Sequence, residues 1–148
     1  MKIMTEVLTM DKKTKMLEEK VWAVVGASDN KKKFGYKIFK FMHDLGLDVY
    51  AVNPGLTEIM GQKCYSNLKE LPVKPGAVNL VVAPTIGEQI LHDCAILNIK
   101  NVWFQPGADS DEIVATANQL GLNVVHHACV MTELRKRGNS VNDSCNER

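Results

Sequence analysis

The sequence predicts a single α/β domain of three layers, with a doubly wound parallel sheet between two layers of helices. Three observations predict it. Short apolar runs alternate with helix-patterned segments along most of the chain, and this alternation requires parallel strands joined by helical crossovers. The runs are apolar throughout rather than at every second residue, as in strands covered on both faces. Four of the five turns that follow them carry glycine or proline, which tight strand-to-helix turns need.

Bulk properties narrow the function classes. A chain of 148 residues is the size of one domain and can bury a core. Its net charge of +1 argues against a general nucleic-acid binder, which needs a broad basic surface. No apolar stretch is long enough to span a bilayer, and the first twenty residues contain no unbroken apolar core of a signal peptide. The expected location is cytoplasmic, with no nucleic-acid and no membrane partner. Cys64, Cys94, Cys129 and Cys145 are widely spread without zinc-ligand spacing, and read as cytosolic thiols.

Three segments are expected. Residues 1–19 form a helical extension, residues 20–134 the α/β domain, and residues 135–148 a polar tail that frays. Within the domain, Val21 to Val25 is the first buried strand. Ile38, Phe41, Met42 and Leu45 make a helical stripe, and Gly46 stands at the C-terminal cap position. Leu47 to Val52 is the second strand, broken by Asn53-Pro54-Gly55. Met60 to Tyr65 reads as a short third strand, followed by a brief helical turn capped by Ser66. Val78 to Ala83 is a strand stopped by Pro84, and Ile86, Ile90, Cys94 and Leu97 give a second helical stripe. Val102 to Phe104 is a strand that ends at Gln105-Pro106-Gly107. Asp109 and Glu112 form a capping box for a third helix with inner face Ile113, Ala117 and Leu120. Leu122 to Val125 is the last strand.

Ligands of doubly wound folds sit beyond the carboxyl ends of the strands, near the point where the winding reverses. The first strand runs into Gly26-Ala27-Ser28-Asp29-Asn30, and a helix starts soon after. Such a strand–turn–helix presents backbone N–H groups to a phosphate. A nicotinamide-dinucleotide site places a second glycine in this turn and an acid at the end of the second strand. Here Ser28 and Asn53 occupy those positions, which argues against NAD, although Asn53 can still hydrogen-bond an adenosine. Lys31, Lys32 and Lys33 lie beside the turn and suit a polyanion, and a helix N-terminus adds about 0.3–1 kcal/mol towards a phosphate. Tyr36, in the first helical turn, reads equally as a ligand contact and as a boundary residue with an apolar ring and a wet hydroxyl.

No catalytic residue is expected. The strand ends carry no carboxylate pair, no nucleophile elbow and no phosphate-binding loop with its lysine. No metal site is expected either. His126 and His127 are adjacent, so in extended chain they point to opposite faces. Cys129 stands just beyond the last strand on the ligand side, and reads either as a small buried hydrophobe or as a thiol that forms a mixed disulfide with a thiol ligand.

The span from about Val21 to Glu133 resembles the small CoA-binding domain family, Rossmann-like proteins similar to the nucleotide-binding part of the succinyl-CoA synthetase alpha subunit. The likeness rests on Val25-Gly26-Ala27-Ser28, Lys33-Phe34-Gly35-Tyr36-Lys37, Val52-Asn53-Pro54, the stretch from Tyr65 to Pro72, Val102 to Ala108, and Cys129-Val130-Met131, in the family's order. It implies a protein that binds CoA or acyl-CoA at the strand ends. The pyrophosphate is expected on the turn from Gly26 to Asn30, and the adenosine near Asn53, Pro54 and Pro84. Lys33, Phe34, Tyr36, Gln105, Gly107 and Cys129 complete the expected site. The chain departs from the family at His127 and Ala128, where many relatives carry an asparagine or aspartate and then a basic residue. The alternatives are a nucleotide-dependent enzyme with a degenerate NAD(P) site, and a protein-interaction module that has lost its ligand.

Overall fold

The structure is a computed structural model, and it describes residues 11–142. In chain order its elements are α1 (Lys12–Met16), β1 (Val21–Val25), α2 (Phe34–Asp44), β2 (Asp48–Val52), β3 (Glu58–Ile59), β4 (Gln62–Tyr65), a 3-10 turn (Leu68–Glu70), β5 (Ala77–Leu80), α3 (Pro84–Ile96), β6 (Asn101–Phe104), α4 (Asp111–Gln119), β7 (Asn123–Val125) and α5 (Val130–Asn142).

Successive residues of β1 divide between two cores. Trp22 and Val24 pack on one face of the sheet, Ala23 and Val25 on the other. A strand apolar on both faces is stable only inside a sheet covered on both sides, and β1 lies between β2 and β5, parallel to each. The seven strands run in the order β3-β4-β2-β1-β5-β6-β7. Every neighbouring pair is parallel except β3 with β4. The chain therefore winds outward from β1 through β2 to β4, returns to β5, and winds the other way to β7. The reversal falls between β1 and β5.

The first core joins Ile38, Phe39 and Met42 of α2, Met16 of α1 and Leu134 of α5 to Trp22 and Trp103 of the sheet. The two indoles meet edge to face, with centroids 6.2 Å apart. The second core joins Leu91 and Cys94 of α3 and Ile113 and Ala117 of α4 to Val78, Leu80, Val102 and Phe104. Full burial of side chains such as Ile38, Phe39 and Leu91 contributes about 1.5–3 kcal/mol each. The expected three-layer, doubly wound architecture is the one observed.

Several local expectations are corrected. The third strand is a hairpin, because Met60 (φ 55) and Gly61 (φ 75) are both left-handed and turn the chain between Ile59 and Gln62. The strand expected to reach Ala83 ends at Leu80. Val81 still donates to the Val25 carbonyl at 2.8 Å, but its own carbonyl lies against Gly26 instead of continuing the ladder. The inner face of α3 is Gly87, Leu91 and Cys94, and Ile86 is 57% exposed. Gly87 lets α3 approach closely, since a side chain there would meet Ile113 at 3.1 Å. Apolar periodicity gives a glycine no weight, so the pattern of Ile86, Ile90, Cys94 and Leu97 points to a neighbouring face.

Caps differ too. Asn67, not Ser66, caps the 3-10 turn, and Ser66 instead donates to the Glu70 carboxylate. Ser110, not Asp109, caps α4 by accepting from the Ile113 N–H. The polar segment from Arg135 onward, expected to fray, continues α5 as far as Asn142. Its amphipathic side is held by Leu134 in the core and by Arg135 stacked over the Phe41 ring at 4.9 Å. The expectations for residues 1–10 and 143–148 lie outside the described residues. No helix among the described residues is long and apolar enough to cross a membrane.

Candidate functional site

Because six strands run parallel, their C-terminal ends share one edge of the sheet, and the turns that follow them gather there. At the reversal point the β1–α2 turn faces the start of α3. Gly26 (φ 98) makes the turn possible in two ways. Its backbone is left-handed, and a side chain would overlap the Val81 carbonyl oxygen. Gly35, one residue into α2, is equally constrained, since its side chain would overlap the Gly26 carbonyl oxygen. The two glycines bring the N-terminus of α2 directly onto the end of β1.

The turn is shaped by its own polar side chains. The Asn30 N–H donates to Ser28 Oγ and the Lys32 N–H donates to Asn30 Oδ1, both at 3.0 Å. Asn53 ties this turn to the end of β2. Its Nδ2 donates to the Ala27 carbonyl at 2.8 Å, and its Oδ1 accepts from the Gly55 N–H at 2.8 Å. Ala27 is fully buried, and its carbonyl is taken up by Asn53. Ser28 and Asn53 are thus structural parts of the cradle in positions that a second glycine and an acid hold in NAD sites.

The helices at this edge differ in a way that favours anions at two of them. Lys33 at the N-cap of α2 and Ala83 at the N-cap of α3 make no side-chain cap, and neither helix has an acid in its first turn. The N-terminus of α4 is closed by Ser110 and carries Asp111 and Glu112. Uncapped N–H groups and the positive end of the helix dipole attract a phosphate, and nearby carboxylates repel one. The two anion-ready N-termini are those that flank the reversal between β1 and β5. Lys31, Lys32 and Lys33 are exposed beside the first, and Phe34 is 60% exposed with Lys37 Nζ lying 5.6 Å from its ring centroid. Pro84 opens α3 on the other side, and Pro54 is exposed at the end of β2. Tyr36 packs its ring against the first core and is half-buried.

The far part of the edge holds Gln105, Gly107 and Cys129. Gln105 is only 4% exposed and turns inward. Its Oε1 accepts from the Val130 N–H at 3.1 Å and from Asn79 Nδ2 at 3.5 Å. It is a positioning residue for the loop between β7 and α5, which Trp103 also anchors by donating to the Ala128 carbonyl at 2.9 Å. Asn79 is fully buried in β5, and its Oδ1 has no protein partner among the described residues. The sequence signal for this network is the lone asparagine inside the apolar run from Val78 to Leu80. Gly107 (φ 95) supplies a left-handed turn with open space around it.

Cys129 is half-buried at the start of α5. Burial pushes its thiol up, but hydrogen bonds from the Thr132 backbone, the Gln105 side chain and the Met131 backbone outweigh it, and the net shift is downward. Burial raises Cys64, and pushes Cys94 up to about 12. Of the described cysteines, Cys129 is the one shifted downward.

The histidines depart furthest from expectation. His127 is left-handed (φ 64), so the extended-chain alternation does not apply, and both rings turn to one carboxylate. His126 Nδ1 lies 3.2 Å and His127 Nδ1 3.9 Å from Asp109 Oδ2.

Clefts also open at the opposite edge, where α1 crosses the N-terminal ends of the strands. One of about 1100 Å³ is lined by Lys15, Glu19, Lys74 and Asn123 among others. It lies at the N-terminal ends of the strands, whereas ligands of doubly wound sheets sit at the C-terminal ends beside the winding reversal.

The sequence and fold can be set beside known proteins. The alpha subunit of an ADP-forming acetate–CoA ligase (enzyme II) from Pyrococcus furiosus is 30% identical over 119 residues. That match takes in 73% of this chain but only 26% of the ligase subunit, so the chain spans about a quarter of that relative. The uncharacterized protein YneT of Bacillus subtilis is 30% identical over 112 residues, covering 73% of this chain and 80% of YneT. Among solved structures, a conserved hypothetical protein of Pyrococcus furiosus superposes with a TM-score of 0.74 at 38% identity, over 77% of this chain and 98% of that one. Residues 20–135 match the model of the CoA binding domain. With a glycine cradle at the winding reversal and that match running through every strand of the sheet, the chain belongs to the CoA-binding domain family.

Proposed function

We propose that the chain binds CoA or acyl-CoA across the C-terminal edge of the sheet, as a binding module that performs no reaction on it. One observation carries this reading. The only helix N-termini of the C-terminal edge that are free of both a side-chain cap and first-turn acids, among the described residues, stand on either side of the winding reversal. The CoA pyrophosphate lies on the turn from Gly26 to Asn30 and the start of α2, with Lys33 beside it. The adenosine lies against Asn53, Pro54 and Pro84, where the end of β2 carries an asparagine in place of the acid of NAD sites. Phe34 and Tyr36 line the mouth. Gln105 and Gly107 shape the far wall, and Cys129 stands near the thiol end of the ligand.

Support for a polyanion comes from the three exposed lysines beside the uncapped helix. Support for CoA over other adenine nucleotides comes from family membership. The sequence of the strand-end turns shows no nucleophile elbow and no phosphate-binding loop with its lysine, which supports binding without catalysis. Isothermal titration with CoA, dephospho-CoA, NAD and NADP tests the reading. CoA is expected to bind most tightly, and dephospho-CoA more weakly for want of the 3′-phosphate. Tighter binding of NAD or NADP than of CoA would overturn it. Native mass spectrometry of freshly purified protein gives a second readout, through the mass of any nucleotide it retains.

A further inference from the structure

We propose that Asp109, His126 and His127 form a binding site for a divalent first-row transition metal of the zinc class. Two loops build it. Asp109 comes from the turn after β6, and the histidines from the turn after β7. One ligand atom from each of the three residues lies within 4.8 Å of the others. The imidazole nitrogens already face the carboxylate, at 3.2 and 3.9 Å from Asp109 Oδ2.

The left-handed backbone of His127 makes this possible. It is one of three non-glycine residues with positive φ among the described residues. Histidine tolerates that region only moderately well, and here the two rings lie side by side, tilted by 39° with centroids 4.0 Å apart. In extended backbone the rings would point to opposite sides of the strand.

Chemistry selects the ion. Two imidazoles and one carboxylate are zinc-type ligands, whereas magnesium and calcium prefer all-oxygen sites. A tetrahedral ion with bonds of about 2.1 Å holds its ligand atoms about 3.4 Å apart. Asp109 and His126 are already at that spacing. His127 has to close by less than an ångström towards the carboxylate, and its side chain is 76% exposed and free to swing. Asp109 is less mobile, with a side chain 16% exposed. Three protein ligands leave a fourth position open to water or to an anionic ligand, as in zinc sites that are not purely structural. The proposal stands apart from the CoA reading, since none of the three residues belongs to the nucleotide site.

Titration of the tag-free full chain tests it, with Zn2+ followed by calorimetry and Co2+ by visible absorption. One ion per chain and a tetrahedral Co2+ spectrum are expected. Asp109→Asn and His126→Ala should each weaken binding by roughly tenfold or more, as loss of a ligand costs at least what loss of a supporting group does. His127→Asn should do the same while keeping the backbone, because asparagine accepts the left-handed region. His92→Ala, an exposed histidine on α3, should change nothing. Thermal melting of each variant without metal separates lost ligation from lost fold. Unchanged Zn2+ affinity in the folded Asp109→Asn and His127→Asn proteins overturns the proposal, as does the absence of binding below millimolar Zn2+.

Discussion

Cys129 shows how much a single residue's chemistry depends on what donates to it. Its thiol is lowered by hydrogen bonds against the pull of burial, while Cys94, with no such donors, is pushed up to about 12. Iodoacetamide should therefore modify Cys129 well before Cys94, with a rate that reaches half its maximum below the ordinary thiol pKa. Mass spectrometry of tryptic peptides across a pH series reads both. Gln105→Leu should move that midpoint upward. It should also cost about 1–3 kcal/mol in urea unfolding, because the buried Val130 N–H loses its acceptor. The lowered thiol has a sign in stability as well. A folded-state value below the unfolded one adds stability above the unfolded pKa, and that contribution is lost as the pH falls through the folded value. Cys129→Ser should remove that component of the pH dependence.

At the scale of elements, the candidate site depends on how two helices begin. Where α4 is closed by Ser110, α2 and α3 are left open, and Gly35 seats α2 against the Gly26 carbonyl. Gly35→Ala should lose about 1–3 kcal/mol through overpacking and weaken CoA binding at least tenfold, since the helix start must move off the turn. Ser110→Ala should lose about 1 kcal/mol with CoA affinity unchanged. Urea unfolding and calorimetry on the same preparations check the pair. Equal losses of CoA affinity in both would show that helix stability, not the seating of α2, governs binding. The same scale explains which elements were legible in the sequence. Strands such as β1 and β6 were, because a run of apolar residues bounded by glycine or proline has few other solutions. The faces of α3 were not, because Gly87 packs by having no side chain and therefore leaves no mark in a hydrophobic pattern.

For the whole molecule, the winding reversal is what turns local turns into a site. A ligand that bridges α2, α3 and the end of β2 ties together segments distant in sequence, so it should stabilise the fold as a unit. CoA at one hundred times its Kd should add about 2.7 kcal/mol, which raises the melting temperature by about 5–11 °C for a domain of this size. Differential scanning fluorimetry over a range of CoA concentrations measures it. A melting temperature that does not respond to saturating CoA would count against a site at the reversal.

By itself the sequence determined the alternation of strands and helices, the doubly wound sheet, and the cradle led by Gly26. These follow from local patterns of burial and turn chemistry, which act over a few residues and so survive in one dimension. Tertiary structure decided the rest. That Asn53 braces the Ala27 turn, that Gln105 faces inward to hold the Cys129 loop, and that Asp109 leaves its cap to Ser110 and meets His126 and His127 are contacts between residues 17 to 26 positions apart. Such contacts depend on the angle at which each turn leaves the sheet, and at His127 on a single backbone dihedral of the opposite sign. No periodicity encodes that sign, because it is set by what the folded neighbours leave room for.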